Sequence, residues 1–192
     1  MIVLIVYWAG KNRNVAFHRS VKEAVQRESQ ALGQAVTSFD LDGMDIRPCL
    51  GCFGCWIKHP GTCAIKDDEA QVLKAYVRSD VIVWLTPITF GGYAPALKKA
   101  LDRIIPSALP FFIKSHGEIH HPPRYEGRKR LIVMGTQPQP DEEAEKIFRD
   151  LAGRNALNLN PVGMGVAVLS EGLNEAAVDE AVRNVFEQAE VV

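Results

Sequence analysis

The sequence predicts an α/β fold, a three-layer αβα sandwich around a five-stranded parallel sheet. Three observations predict it. Short, β-branched apolar runs recur five times along the 192 residues. Each run is followed by a stretch with apolar residues at helical spacing. The runs are continuous rather than alternating, which marks strands buried on both faces of a parallel sheet. The length suits one domain, 1–192, with a proper core.

Ile2 to Tyr7 is the first such run. A turn with Gly10, Asn12 and Asn14 follows it. Phe17, Val21, Ala24, Val25 and Leu32 then recur at helical spacing, and Gly33 stops the helix. Ala35 to Leu41 reads as the second strand. Residues 43–66 form a cysteine-rich loop. Asp67-Asp68 suits a helix N-terminus, because carboxylates there accept free N–H groups and favour the dipole. That helix runs through Val72, Leu73, Tyr76 and Val77.

Val81 to Leu85 is the third strand, and Thr86 to Tyr93 reads as a Gly- and Pro-rich loop. Pro95 opens a helix through Leu97, Leu101 and Ile104-Ile105, at an early position where its missing N–H costs little. Residues 107–129 read as a long irregular insertion. Arg130 to Met134 is the fourth strand and Asp141 to Asn155 a helix. Val162 to Leu169 is the fifth strand, softened by Gly163 and Gly165, and Asn174 to Gln188 is the last helix.

Strands alternating with helices imply right-handed crossovers and one parallel sheet covered on both faces. Five strands at this size predict the flavodoxin-like order 2-1-3-4-5. Ligands on such sheets bind beyond the carboxyl ends of the strands, at the switch point between strands one and three. Three loops meet there: Trp8–Ala16, Thr86–Tyr93 and Gly135–Pro140.

The formal net charge is −1 and the pI about 6.5. There is no basic stripe, which argues against a nucleic-acid partner. The N-terminal apolar run lacks a positive n-region and a cleavage site and is too short to span a bilayer. No membrane partner is expected, and the predicted location is cytoplasmic.

All 4 cysteines fall between Cys49 and Cys63, spaced C-x2-C-x2-C-x7-C as Cys49, Cys52, Cys55 and Cys63. In a reducing compartment such a group points to metal or catalysis rather than a disulfide framework. Several readings stand. A [4Fe–4S] cluster suits four thiolates on a flexible loop, with Gly51, Gly54 and Gly61 letting the chain wrap closely. Zinc more often shows two separated C-x-x-C knuckles. Cys52 and Cys55 would also serve as a dithiol couple. The remaining reading is a loop whose cysteines are small buried hydrophobes.

The run Thr86-Pro87-Ile88-Thr89-Phe90-Gly91-Gly92-Tyr93-Ala94-Pro95-Ala96-Leu97-Lys98, continued by Leu101-Asp102-Arg103, resembles the flavin loop and following helix of the NADPH-dependent FMN reductase family. The cysteine window, with Gly61, Cys63 and Asp67-Asp68, resembles that family's cysteine-rich branch, the iron–sulfur flavoproteins. The resemblance covers most of the chain in order. It implies a flavodoxin-like fold, FMN, electron transfer, and a homodimer or homotetramer.

The flavin site is then expected at three places. Thr86, Pro87, Ile88, Thr89, Phe90, Gly91, Gly92 and Tyr93 would approach the ring, with glycine letting the backbone come close and Phe90 or Tyr93 beside it. Thr136 and Gln137 would meet the ring edge. The first loop departs from the family's Ser/Thr-rich phosphate turn. Backbone N–H groups, Lys11, Asn12, Arg13 and Asn14 would hold phosphate instead. Cys49, Cys52, Cys55 and Cys63 are the candidate metal ligands, on the sheet end of the flavin loops because they follow the second strand. His116, Glu118, His120 and His121 have ligand chemistry, but packing against a partner subunit or over the flavin is the stronger reading of that insertion.

The function expected is FMN-dependent electron transfer, as an NAD(P)H-dependent oxidoreductase passing electrons to a small-molecule or protein acceptor. No acid or base residue is assigned, because flavin reduction by nicotinamide needs none. One alternative is an iron–sulfur flavoprotein acting as an electron carrier. Another is a cofactor-free binding module on the same fold.

Overall fold

A computed structural model describes residues 1–10 and 15–190. The proposed phosphate-loop residues Lys11, Asn12, Arg13 and Asn14 lie outside the described residues. The elements run β1 (Ile2–Tyr7), α1 (Val15–Ala31), β2 (Ala35–Asp40), α2 (Gly54–Ile57), α3 (Glu69–Arg78), β3 (Val81–Thr89), β4 (Gly92–Tyr93) and α4 (Pro95–Asp102). They continue with β5 (Ile113–Ser115), β6 (Glu118–His120), β7 (Arg130–Gln137), α5 (Glu142–Leu159), β8 (Gly163–Ser170) and α6 (Glu175–Glu190).

The main sheet has the order β2-β1-β3-β7-β8, with all four pairings parallel. This is the predicted flavodoxin-like order. Its interior strands are apolar on both faces because helices cover both. Val3, Ile5, Val83, Leu85, Ile132 and Met134 pack with Val21 and Val25 of α1 and Val182, Val185 and Phe186 of α6. Leu4, Val6, Ile82, Trp84, Leu131 and Val133 pack on the other face with Val72 of α3, Leu97 of α4 and Phe148 of α5. The softness read into the fifth strand has a reason: a Cβ on Gly163 or Gly165 would overlap the backbone of Ala189 or Val185. Those glycines let α6 lie directly on β8.

Three expectations change. The segment read as the loop Thr86–Tyr93 is strand and hairpin, with β3 running on to Thr89 and β4 folding back antiparallel. The insertion is not wholly irregular, since β5 and β6 form a second antiparallel hairpin. The fourth helix stops at Asp102 and a short 3-10 turn takes up Ile105–Ser107. In each case long-range pairing or packing overrides local turn chemistry.

Candidate functional site

The first candidate site is the carboxyl end of the sheet. Thr86 is buried there, and its hydroxyl donates to the Pro87 carbonyl and accepts the Ala94 N–H, each at 3.0 Å. That closes the base of the hairpin onto the start of α4. Ile88 pairs with Tyr93 and Thr89 with Gly92, which leaves Phe90-Gly91 as a two-residue turn. Both turn residues have positive φ, 50° and 74°, as the mirror-image turns that suit a twisted hairpin require. Glycine adopts this freely, while a left-handed Phe costs about 1–2 kcal/mol. The Phe90 side chain is fully exposed at the tip. A Cβ on Gly91 would come within 2.7 Å of Ile147, so the turn is pressed onto α5.

The Tyr93 side chain is buried, edge-on to Trp84 and Phe148, and its hydroxyl accepts from Asn155 at 2.9 Å. Burial pushes its phenol up to about 12. Thr136 is buried as well, with Oγ1 2.6 Å from Nε2 of His18, a residue that sequence reasoning placed on no site. Burial pushes His18 down to about 4, so it is neutral at pH 7. Gln137 donates through its amide nitrogen to Ser170 Oγ at 3.3 Å. Its Oε1 is buried without a hydrogen-bond partner, and so is Oε1 of the adjacent Glu171. An orphaned acceptor at the ligand end of such a sheet fits an N–H donor such as the polar edge of a flavin carries.

The second candidate site is the cysteine loop. It is shaped by positive φ at Gly51, Phe53 and Gly61 and by the short helix α2. The indole N–H of Trp56 donates to the carbonyls of Ala108 at 3.0 Å and Ile105 at 3.3 Å. Asp68 accepts the Asp45 N–H at 2.8 Å, and Asp67 accepts the Arg47 N–H at 3.0 Å. The expected role of this acidic pair at the helix start is therefore only partly kept. Asp67 Oδ1 does accept the Glu69 N–H, but Asp68 makes no cap bond to α3.

Asp67 instead forms a two-bonded ion pair with Arg103, Nη1 to Oδ2 at 2.9 Å and Nη2 to Oδ1 at 2.8 Å. Both side chains are buried. The Arg103 hydrogen bond holds the Asp67 carboxyl at about 2. Glu69 is 1% exposed and neither carboxylate oxygen has a partner. Burial pushes it up to about 8, despite the pull of Arg103.

The fold brings all four cysteines together. Cys49, Cys52, Cys55 and Cys63 line one cavity of about 30 Å³ with Arg103, Ile105 and Pro106. All four are free thiols. Burial raises the Cys55 thiol, and the other three thiols add to the rise. Among the described residues no three His, Cys, Asp or Glu side chains are grouped tightly enough for a single metal ion. His120 faces Asn158 at 3.2 Å, His116 sits at the β5–β6 turn, and His121 packs between Trp56 and Phe112.

The two sites are offset along α4. The hairpin leads into its start, whereas Arg103 and Ile105 follow its last turn. Its 8 residues span, at 1.5 Å per residue, about 12 Å.

The chain matches the NADPH-dependent FMN reductase family over residues 3–121. It belongs to that family. Family membership supports a flavin-dependent oxidoreductase with FMN. The chain is 32% identical over 95 residues to an iron-sulfur flavoprotein of Methanocaldococcus jannaschii, covering 50% of this chain and 48% of that protein. It is 23% identical over 159 residues to an iron-sulfur flavoprotein of Archaeoglobus fulgidus, covering 82% of this chain and 64% of that protein. The chain thus spans less than two thirds of each of these relatives. The fold matches an NAD(P)H:quinone oxidoreductase from Methanothermobacter marburgensis with a TM-score of 0.69 at 16% identity, over 98% and 94% of the two chains. It also matches an FMN-dependent NADH-azoreductase from Bacillus anthracis in complex with FMN, at 0.63 and 14%, over 98% and 97%. No helix among the described residues is long and apolar enough to cross a membrane.

Proposed function

We propose that this family member is an NAD(P)H-dependent FMN oxidoreductase of the flavin- or quinone-reducing type. The observation that carries the reading is the β3–β4 hairpin at the switch point, with the unpartnered Gln137 Oε1 at the same sheet end. FMN, when bound, supplies the hydride chemistry. The protein's part is to hold and orient. The backbone from Ile88 to Gly92 would face the ring, with exposed Phe90 and half-buried Pro87 shielding it from water. Gln137 would accept from the ring's N–H edge. Thr136 would fix β7 to α1 through His18 rather than touch the ring. Lys11, Asn12, Arg13 and Asn14 would hold the phosphate.

The convergence of four free thiols on one cavity favours a second cofactor. Cys49, Cys52, Cys55 and Cys63 would hold a [4Fe–4S] cluster, which supplies one-electron transfer. On that reading the chain takes electrons as hydride and passes them singly to a protein or small-molecule acceptor. The similarity to iron-sulfur flavoproteins supports it. Exposed Phe53, Phe111, Phe112 and Ile119 supply apolar surface for a homodimer or homotetramer.

The test is the visible spectrum and iron content of protein purified without oxygen, followed by FMN titration. NADH and NADPH oxidation are then assayed with a quinone acceptor. Flavin bands with about four iron atoms per chain and quinone reduction are expected. Failure to bind added FMN would refute the oxidoreductase reading, and flavin without iron would refute the second cofactor.

A further inference from the structure

We infer that Arg103 is the fixed countercharge of the four-thiol cavity, a positioning residue that sets how tightly the cavity holds an anionic metal–thiolate centre. The inference extends the four-thiol part of the proposed function and rests on that reading. Among the described residues, Arg103 is the one cation lining the cavity. It is 1% exposed and cannot swing away. Nη1 donates to the Arg47 carbonyl at 2.7 Å, and both terminal nitrogens are tied to Asp67. Its Nε–H is buried with no partner at all. A fixed guanidinium with an unpaired donor, lining a cavity of four thiols, suits an anionic sulfur centre.

The surrounding charges point the same way. Burial opposes the Arg103 charge, but the hydrogen bond to Asp67 leads the effects that more than restore it. Asp67 uses both oxygens on Arg103. Glu69 stays protonated at pH 7 and adds no opposing charge. The metal ligand is the thiolate, so each thiol gives its proton to solvent as the metal–sulfur bond forms. Four thiolates leave a [4Fe–4S] centre with a net negative charge, and that charge would fall beside Arg103. Residues outside the metal set commonly govern affinity in this way.

The test separates charge from mere packing by its sign. Full-length protein is rebuilt with iron and sulfide without oxygen, and the hold on its centre is read from the rate at which a chelator removes iron. Asp67→Asn leaves the Arg103 cation unopposed and should slow that loss about fivefold. The double variant Asp67→Asn, Arg103→Gln replaces the ion pair by a neutral amide pair and should speed it about fivefold above the parent. If Arg103 only braces the loop, both variants lose iron faster, and that result overturns the inference. The double variant's centre should have a midpoint potential lower by about 59 mV, a tenfold change for one electron. An unchanged potential overturns the inference. A parent that forms no iron–sulfur centre refutes the four-thiol reading itself, whereas a parent that forms one whose variants do not differ in sign refutes only the role of Arg103.

Discussion

The two candidate sites flank α4 and are held by different forces. The hairpin end is made of backbone. Strand pairing from Val81 to Thr89 carries the chain past the sheet, and the Phe90-Gly91 turn is pressed on α5 by contact. The cysteine end has almost no ladder. Side chains hold it: the Arg103–Asp67 pair, Asp68 on the Asp45 amide and the Trp56 indole on two carbonyls. A site built on backbone keeps its shape whatever its charges do. A loop hung on a buried ion pair is exposed to the loss of either partner's side chain.

The largest effect should come from breaking that pair. Asp67→Ala leaves the Arg103 guanidinium buried and unpaired, a loss of about 3–5 kcal/mol in denaturant unfolding. Hydrogen exchange should rise first in residues 41–68, with the β3 amides still protected. Equal loss of protection in both regions would erase the contrast.

Gly91→Ala tests the other end. It puts a Cβ at φ 74° and against Ile147, for about 1–3 kcal/mol. FMN affinity should fall while iron uptake by the cysteines stays unchanged.

Glu69 sharpens the comparison through pH. Its unfolded carboxyl loses a proton near 4.5, and the folded one keeps it to about 8. Between those values the folded state binds more protons, so stability falls as pH rises. Glu69→Met should flatten that fall and add about 1–3 kcal/mol at pH 8, read from unfolding midpoints at pH 5 and 8.

The smallest change in stability is expected at Phe90. Its side chain is wholly exposed, so Phe90→Asn should shift stability by no more than about 0.5 kcal/mol. Asn also tolerates the left-handed turn. Quinone turnover should nevertheless fall, and unchanged turnover would remove Phe90 from the site.

The strands and their order were readable because burial on both faces writes continuous apolar runs such as Val81–Leu85. The hairpin was not, because Thr89-Phe90-Gly91-Gly92 reads as a loop until β4 is seen to pair with β3. A Phe in the left-handed region carries no local signal. The four cysteines announced themselves by spacing, and the fold does gather them. Their partner Arg103 stands far along the chain from Asp67, and only the meeting of α4 with the cysteine loop reveals it. Asp67 looked like a helix cap because caps are local and ion pairs are not. His18 was hidden for the same reason, its partner Thr136 lying across the sheet.

Trp56 follows Cys55 directly, stacks on Phe53 at 5.2 Å and meets His121 at 4.7 Å. The chain's other tryptophans lie elsewhere, Trp84 in the core and Trp8 over Gly10. One indole of the 3 is thus a built-in optical gauge of the thiol cavity. Its emission should be quenched when the cysteines take up iron. With Trp8→Phe and Trp84→Phe in place, filling of the thiol cavity can be followed in a fluorescence cuvette before any flavin is added.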